Sequence, residues 1–314
     1  MSSKSDIFKY SVVKLNFDYY LFYSSNEVFK MEIENRKNSG IWGIICLIMG
    51  IGAIVGHYLL SYLFLGPLLH AETDAAKECA VSVPIFFPVF ADIGFIGGLL
   101  FIIAGIGFFQ QTKWAFAFAV LGNVISLKSS FWPNIPIMEA DLMLPGPWFG
   151  IFLPNLMFYF ILLRAVGKEP WKKILLGLFG GMAFILNFIN AIASTTRLLN
   201  HYDPDNITVA QMFMLVLFIN ILASLAFGVF TISLFLSKKK EWIRITGLIG
   251  AILSITGGFP LAIYSMYFFG EAPGFSMFIM APVISTLTGI VPLIPGLWRK
   301  FTEPRIIDPK IKTE

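Results

Sequence analysis

The sequence predicts an all-α integral membrane protein. Eight transmembrane helices, arranged as four sequential helical hairpins, are expected behind a short N-terminal cytoplasmic β-hairpin. Three observations carry this reading. Of 314 residues, 57% are hydrophobic and 13% charged, with a mean hydropathy of +0.76, whereas soluble domains hold about 45–50% apolar and about 25% charged residues. Too little polar surface remains to face water, so lipid is the solvent for most of the chain. Apolar runs able to cross a hydrocarbon core of about 30 Å recur at 41–66, 86–109, 114–132, 148–166, 171–194, 209–236, 243–269 and 275–298. Threaded alternately, these runs leave every Lys and Arg except Lys77, Lys128 and Arg197 on one side. The Lys/Arg bias of the loops makes that side cytoplasmic, with both termini inside and the protein in the cell membrane.

Each element has its own signal. In residues 1–40, Val13, Leu15, Phe17, Tyr19, Leu21 and Tyr23 alternate with mostly polar neighbours, and the alternation resumes after Ser24-Ser25-Asn26-Glu27. That period of two around a polar turn predicts a β-hairpin. A lone hairpin is marginal in water, so it is expected to rest on the membrane, on a loop or on a membrane-protein partner. Residues 41–298 form the membrane domain and 299–314 a basic cytoplasmic tail. No cleavable leader is expected, because the first forty residues lack an apolar h-region with a small-residue cleavage site. The third run is eroded at its far end by Lys128, Ser129, Ser130 and Pro133. The last carries Pro282, Pro292 and Pro295, which predict a kinked or broken helix.

One arrangement recurs. Trp42, Trp114, Trp171 and Trp242 each stand where a run leaves the basic side, and Gly50, Gly122, Gly180 and Gly250 follow two turns later. Four consecutive two-helix units account for the spacing, although Trp at interfaces and Gly in membrane helices are common in their own right. Gly52-xxx-Gly56, Gly94-xxx-Gly98 and Gly177-xxx-Gly181 are expected to let neighbouring helices approach closely.

Ionisable groups within spans are costly and mark candidate sites. His57 lies about 22 Å and Lys128 about 21 Å along their helices from the interfacial Trp at 1.5 Å per residue, and Asp92 falls at similar depth. An Asp92–Lys128 ion pair with His57 as proton or substrate partner would form a polar vestibule on the outer side. Asn155, Asn187 and Asn190 complete the candidate substrate-binding set, with Asn123 and Asn220 nearer the centre. The alternative has Lys128 snorkelling outward, Asp92 capping its helix and His57 making one interhelical bond.

Other chemistries find little footing. The outer acidic stretches His70-Ala71-Glu72-Thr73-Asp74, Glu139-Ala140-Asp141 and His201-Tyr202-Asp203-Pro204-Asp205 offer clustered oxygens without a specific ligand pattern, so no metal is expected. Cys46 and Cys79 make no framework. No phosphate-binding loop or nucleophile elbow occurs, three His are too few for haem pairs, and the basic residues do not form a nucleic-acid face. No cofactor is expected. The leading reading is a transporter or permease for a small solute or ion. Behind it stand a non-catalytic subunit or assembly factor of a membrane complex and, third, a membrane-embedded transferase using the acidic outer loops.

Overall fold

A computed structural model describes residues 38–75, 78–200, 207–237, 239–269 and 277–302. The expected N-terminal β-hairpin and the basic tail lie outside these residues. Every regular element among the described residues is helical. Helix α1 is Ser39–Asp74, α2 Val83–Phe109, α3 Ala115–Phe131, the short α4 Asn134–Glu139, and α5 Phe149–Ile161, which ends in a π turn at Leu162–Val166. Then follow α6 Trp171–Asn200, α7 Ile207–Leu236, α8 Lys240–Phe269, α9 Met277–Leu293 and α10 Pro295–Thr302. Among the described residues, 7 helices are long and apolar enough to cross a membrane, and α9 with α10 adds an eighth if the bent pair is one span. Their outer faces carry Ile48, Tyr62, Met157, Leu215 and Ile252, all more than half exposed. Such a continuous apolar exterior suits lipid and not water.

Two boundaries differ from the sequence reading, each for a local reason. Helix α1 runs through Pro67 to Asp74 rather than ending near 66. Helix α2 starts at Val83, with Pro84 in its first turn, where a missing N–H costs nothing. The expected break in the last span falls after Leu293, with α10 turned 93° from α9. Pro295 cannot donate to the preceding turn, and Arg244 covers the carbonyls left bare there. Its Nε donates to the Pro292 carbonyl at 2.6 Å and its Nη2 to that of Leu293 at 3.4 Å.

The contacts between helices group in fours. In the first half α1 packs on α2, α2 on α3 and α3 on α5; in the second α6 packs on α7, α7 on α8, α8 on α9, and α9 closes back on α6. Contact between the halves is thinner and runs from α3 to α6 and α7 and from the 3-10 turn Glu78–Val81 to α6. Buried positions recur between the halves at nearly constant shifts. Gly50, Ala53 and His57 of α1 match Gly180, Ala183 and Asn187 of α6, and Gly94, Gly98 and Ala104 of α2 match Ser224, Gly228 and Leu234 of α7, all 130 residues on. Ala119, Gly122 and Ser126 of α3 match Gly247, Gly250 and Ser254 of α8, 128 residues on. Asn155, Phe158 and Tyr159 of α5 match Ala281, Ile284 and Ser285 of α9, 126 residues on.

The packing register repeats even where residue types do not. At one level of the α1–α2 crossing, Leu47 fills the space beside Gly105, whose absent Cβ would sit 3.0 Å from the Leu47 Cγ. At the matching level of α6–α7 the sizes are exchanged: Gly177 lies under the ring of Phe235. One large and one small residue occupy each crossing, which keeps volume and axis separation alike.

Of the expected Gly-xxx-Gly faces, the one in α1 is not what meets α2: the close approach is made by Gly50, two residues before the motif and on another face of the helix, while Gly56 lies against Ile151 of α5. A Cβ on Gly50 would meet the Gly98 carbonyl oxygen at 2.7 Å, whereas Gly52 has nothing within 4 Å. Gly50→Leu is therefore expected to destabilise the protein by about 1–3 kcal/mol or to prevent folding, and Gly52→Leu to leave thermal unfolding in detergent nearly unchanged.

The loop joining the halves holds a largely buried ion pair, Glu169 to Lys173 Nζ at 2.7 Å. Burial raises the Glu169 carboxyl above its ordinary range, with Lys173 opposing. A raised folded-state value means that the carboxyl's contribution to stability is present at low pH and is lost as pH rises through that value. Melting temperatures measured between pH 4.5 and 7.5 should therefore show Glu169→Gln gaining on the parent chain as pH increases.

Candidate functional site

Most buried polar side chains on these helices begin by bonding to their own helix. An amide or hydroxyl in hydrocarbon that lacks a partner costs several kcal/mol, and the carbonyl one turn back is the nearest acceptor. His57 Nδ1 lies 2.7 Å from the Ala53 carbonyl, Asn187 Nδ2 donates to Ala183 at 2.7 Å, Asn155 Nδ2 to Ile151 at 2.8 Å, and Asn220 Nδ2 to Val216 at 2.9 Å.

His57 and Asn187, matched in the two halves, then reach a serine on another helix. His57 Nε2 lies 2.9 Å from Ser129 Oγ on α3, and Asn187 Nδ2 donates to Ser285 Oγ on α9 at 3.0 Å. Both residues are fully buried. The imidazole fits because position 94 is glycine: a Cβ there would fall on the His57 ring.

The His57 pair has two consistent proton arrangements. The Ala53 carbonyl can only accept, so Nδ1 carries a proton. In the neutral ring Nε2 accepts from Ser129. In the charged ring Nε2 donates to Ser129, whose own hydrogen turns to the Ser126 carbonyl at 3.0 Å. Either way the serine is satisfied, so both arrangements are compatible with the same heavy-atom positions.

The expected Asp92–Lys128 ion pair is not formed. Asp92 lies nine residues into α2, too far along to cap it, on an exposed face where it accepts from Tyr58 Oη at 2.8 Å. Lys128 is 8% exposed and does not snorkel. Its Nζ lies 4.0 Å and 3.9 Å from the ring centroids of Phe184 and Phe188 on α6. Phe188 meets Phe90 edge-on, and Phe90 stacks on Trp132 at 5.0 Å, so the ammonium borders an aromatic cluster at the seam between the halves. Among the described residues no carboxylate or hydrogen-bond acceptor faces it. A central Lys costs about 3 kcal/mol in a membrane helix, and two desolvated cation–π contacts return about 2 kcal/mol each. The rings thus offset part of the cost of burying the ammonium.

The asparagines divide differently from expectation. Asn123 Nδ2 donates to the Asn155 backbone carbonyl at 2.8 Å, joining α3 to α5, and Asn190 Nδ2 donates to the Phe278 carbonyl at 3.0 Å, joining α6 to α9. In Asn123, Asn155, Asn187, Asn190 and Asn220 the side-chain oxygen is buried without a donor, and Ser126 Oγ and Ser254 Oγ, matched between halves, also lack partners. These oxygens form an acceptor-rich interior. Ser285 escaped the sequence reading, and Ser129 and Gly94 entered it only as a span-eroding and a helix-packing residue, since a serine or glycine in a membrane helix carries no signal of its partner. Of the acidic stretch ending α1, Glu72 is buried while His70 and Asp74 pair at 3.5 Å on the surface. No group of three potential metal ligands occurs among the described residues.

No known protein family, curated protein or solved structure matches the chain. The class that fold and composition define is a multi-pass helical membrane protein.

Two substitutions test the site. Gly94→Ala should destabilise by about 1–3 kcal/mol, and adding His57→Ala should recover part of the loss, with a coupling of about 0.5–3 kcal/mol in a double-mutant cycle of melting measurements. Lys128→Met should change stability by less than about 1 kcal/mol, since the lost cation–π contacts and the relieved desolvation offset each other.

Proposed function

We propose that the chain is a permease-like membrane protein that passes a small solute or ion along the seam between its two halves. The carrying observation is the pair of buried polar centres, His57–Ser129 and Asn187–Ser285, one in each half, in which His57 and Asn187 occupy matched positions although their serines come from non-equivalent helices. Transporters built from repeats keep their sites at depth in the membrane where the repeats meet, and parallel repeats are related by an axis along the membrane normal. The recurring burial register supports descent of both halves from one four-helix unit, inserted twice in the same orientation. By the Lys/Arg bias the basic end faces the cytoplasm, with residues 1–40 and 299–314 on that side.

Each half is tightly packed within itself and touches the other over a narrower area, which suits rocking of one half against the other. The donor-free Asn oxygens would receive hydrogen bonds from a hydrated or N–H-bearing permeant. His57 would supply a proton and Lys128 a fixed positive charge at the seam. In this reading the outer vestibule narrows to His57, Lys128, Asn155, Asn187 and Asn190, without Asp92.

Water access tests the proposal. In a chain with Cys46→Ala and Cys79→Ala, single replacements Ser126→Cys and Ser254→Cys are treated in sealed vesicles with a membrane-impermeant thiol reagent. Both are expected to react faster than Ile48→Cys, which faces lipid at 65% exposure. If neither exceeds that control, no aqueous path reaches the centres and the transport reading fails.

A further inference from the structure

We propose that the groove on the lipid-facing side of α2 and α3 at the basic end is a binding site for an anionic phospholipid. Its phosphate would lie against Lys113 and its acyl chain along Ile103 and Phe118. The groove measures about 510 Å³ and is lined by Ile103, Lys113, Trp114 and Phe118, within the range of about 300–1,000 Å³ typical of small-molecule sites.

Local sequence builds it. Helix α2 ends in a tight turn in which Gln111 takes a φ of 55°, and both the backbone N–H and the hydroxyl of Thr112 donate to the Gly107 carbonyl, at 2.9 Å and 3.1 Å. That turn sends the chain directly from Lys113 into α3. Trp114 folds back over Gly107, where an added Cβ would meet its ring at 2.8 Å from Cη2. The ring in turn meets Phe118 edge-on at 5.4 Å. The indole, seated on the buried Gly107, and the phenyl ring thus wall a slot beside the exposed Ile106 and Phe109.

Three features select an anionic lipid. Lys113 is exposed at the mouth. Helix α3 begins at Ala115 without a side-chain cap or an acidic residue in its first turn, so no side chain of that turn offsets the positive end of its dipole beside Lys113. No Asp or Glu occurs between Asp92 and Glu139, so no fixed negative charge from this stretch opposes a phosphate. The apolar walls match an acyl chain, which a soluble anion lacks. The site is independent of any transport activity.

Native mass spectrometry of the full chain in detergent tests it, with phosphatidylglycerol or phosphatidylcholine of identical chains added at equal concentration. The parent protein is expected to retain at least one phosphatidylglycerol and several-fold less phosphatidylcholine. Lys113→Gln, a change at an exposed position, and Gly107→Leu, which displaces Trp114 into the slot, should each lower phosphatidylglycerol occupancy several-fold. A melting curve for Gly107→Leu shows whether it is folded. Equal retention of both lipids, or unchanged occupancy in Lys113→Gln, would overturn the proposal. Loss in Lys113→Gln with full retention in a folded Gly107→Leu would also overturn it, because the charge would then bind lipid without the groove.

Discussion

The back-bond from a buried side chain to the carbonyl one turn earlier is the interaction on which the interior depends. It gives many of the asparagines, serines and threonines in these helices a partner without calling on a neighbour, and so makes polar residues tolerable in hydrocarbon. It leaves a residue behind. An amide that spends its NH₂ group on its own helix keeps an oxygen for something else, and Asn155, Asn187 and Asn220 do this here. The polarity of the interior is therefore one-sided, rich in acceptors and poor in donors. His57 differs because its second nitrogen can change role, which is why it and its serine can be satisfied in two proton states.

Much of the architecture was legible from composition and charge. Positions of helices, the interfacial tryptophans and the break near Pro295 follow from the length of apolar runs and from groups that lipid excludes. Azimuth around each helix does not follow from those signals. His57, Asp92 and Lys128 share a depth, yet Asp92 faces outward to Tyr58 and Lys128 faces the rings of α6, because depth is set by residue count and facing by packing. The same limit explains Gly52: its spacing to Gly56 satisfies the motif, but the face that meets α2 carries Gly50.

The grouping into fours was hidden for a different reason. Hairpins of similar length read alike in sequence whichever neighbours they choose, and the tryptophans recur at every second helix on account of the interface. What distinguishes the halves is the register of buried positions. Residue types obscure it, since glycine in one half stands opposite phenylalanine or leucine in the other. Volume at a crossing is conserved while identity at a site is not.

That exchange of sizes has a consequence for assembly. Two similar four-helix units inserted into one membrane could trade helices, α1 pairing with α7 and α6 with α2. Leu47 would then face Phe235, two large side chains in a space cut for one, and Gly177 would face Gly105 across a void. Both wrong pairings are penalised at once, one by collision and the other by lost contact. The complementary sizes at this single crossing act as a key that keeps each half loyal to its own helices.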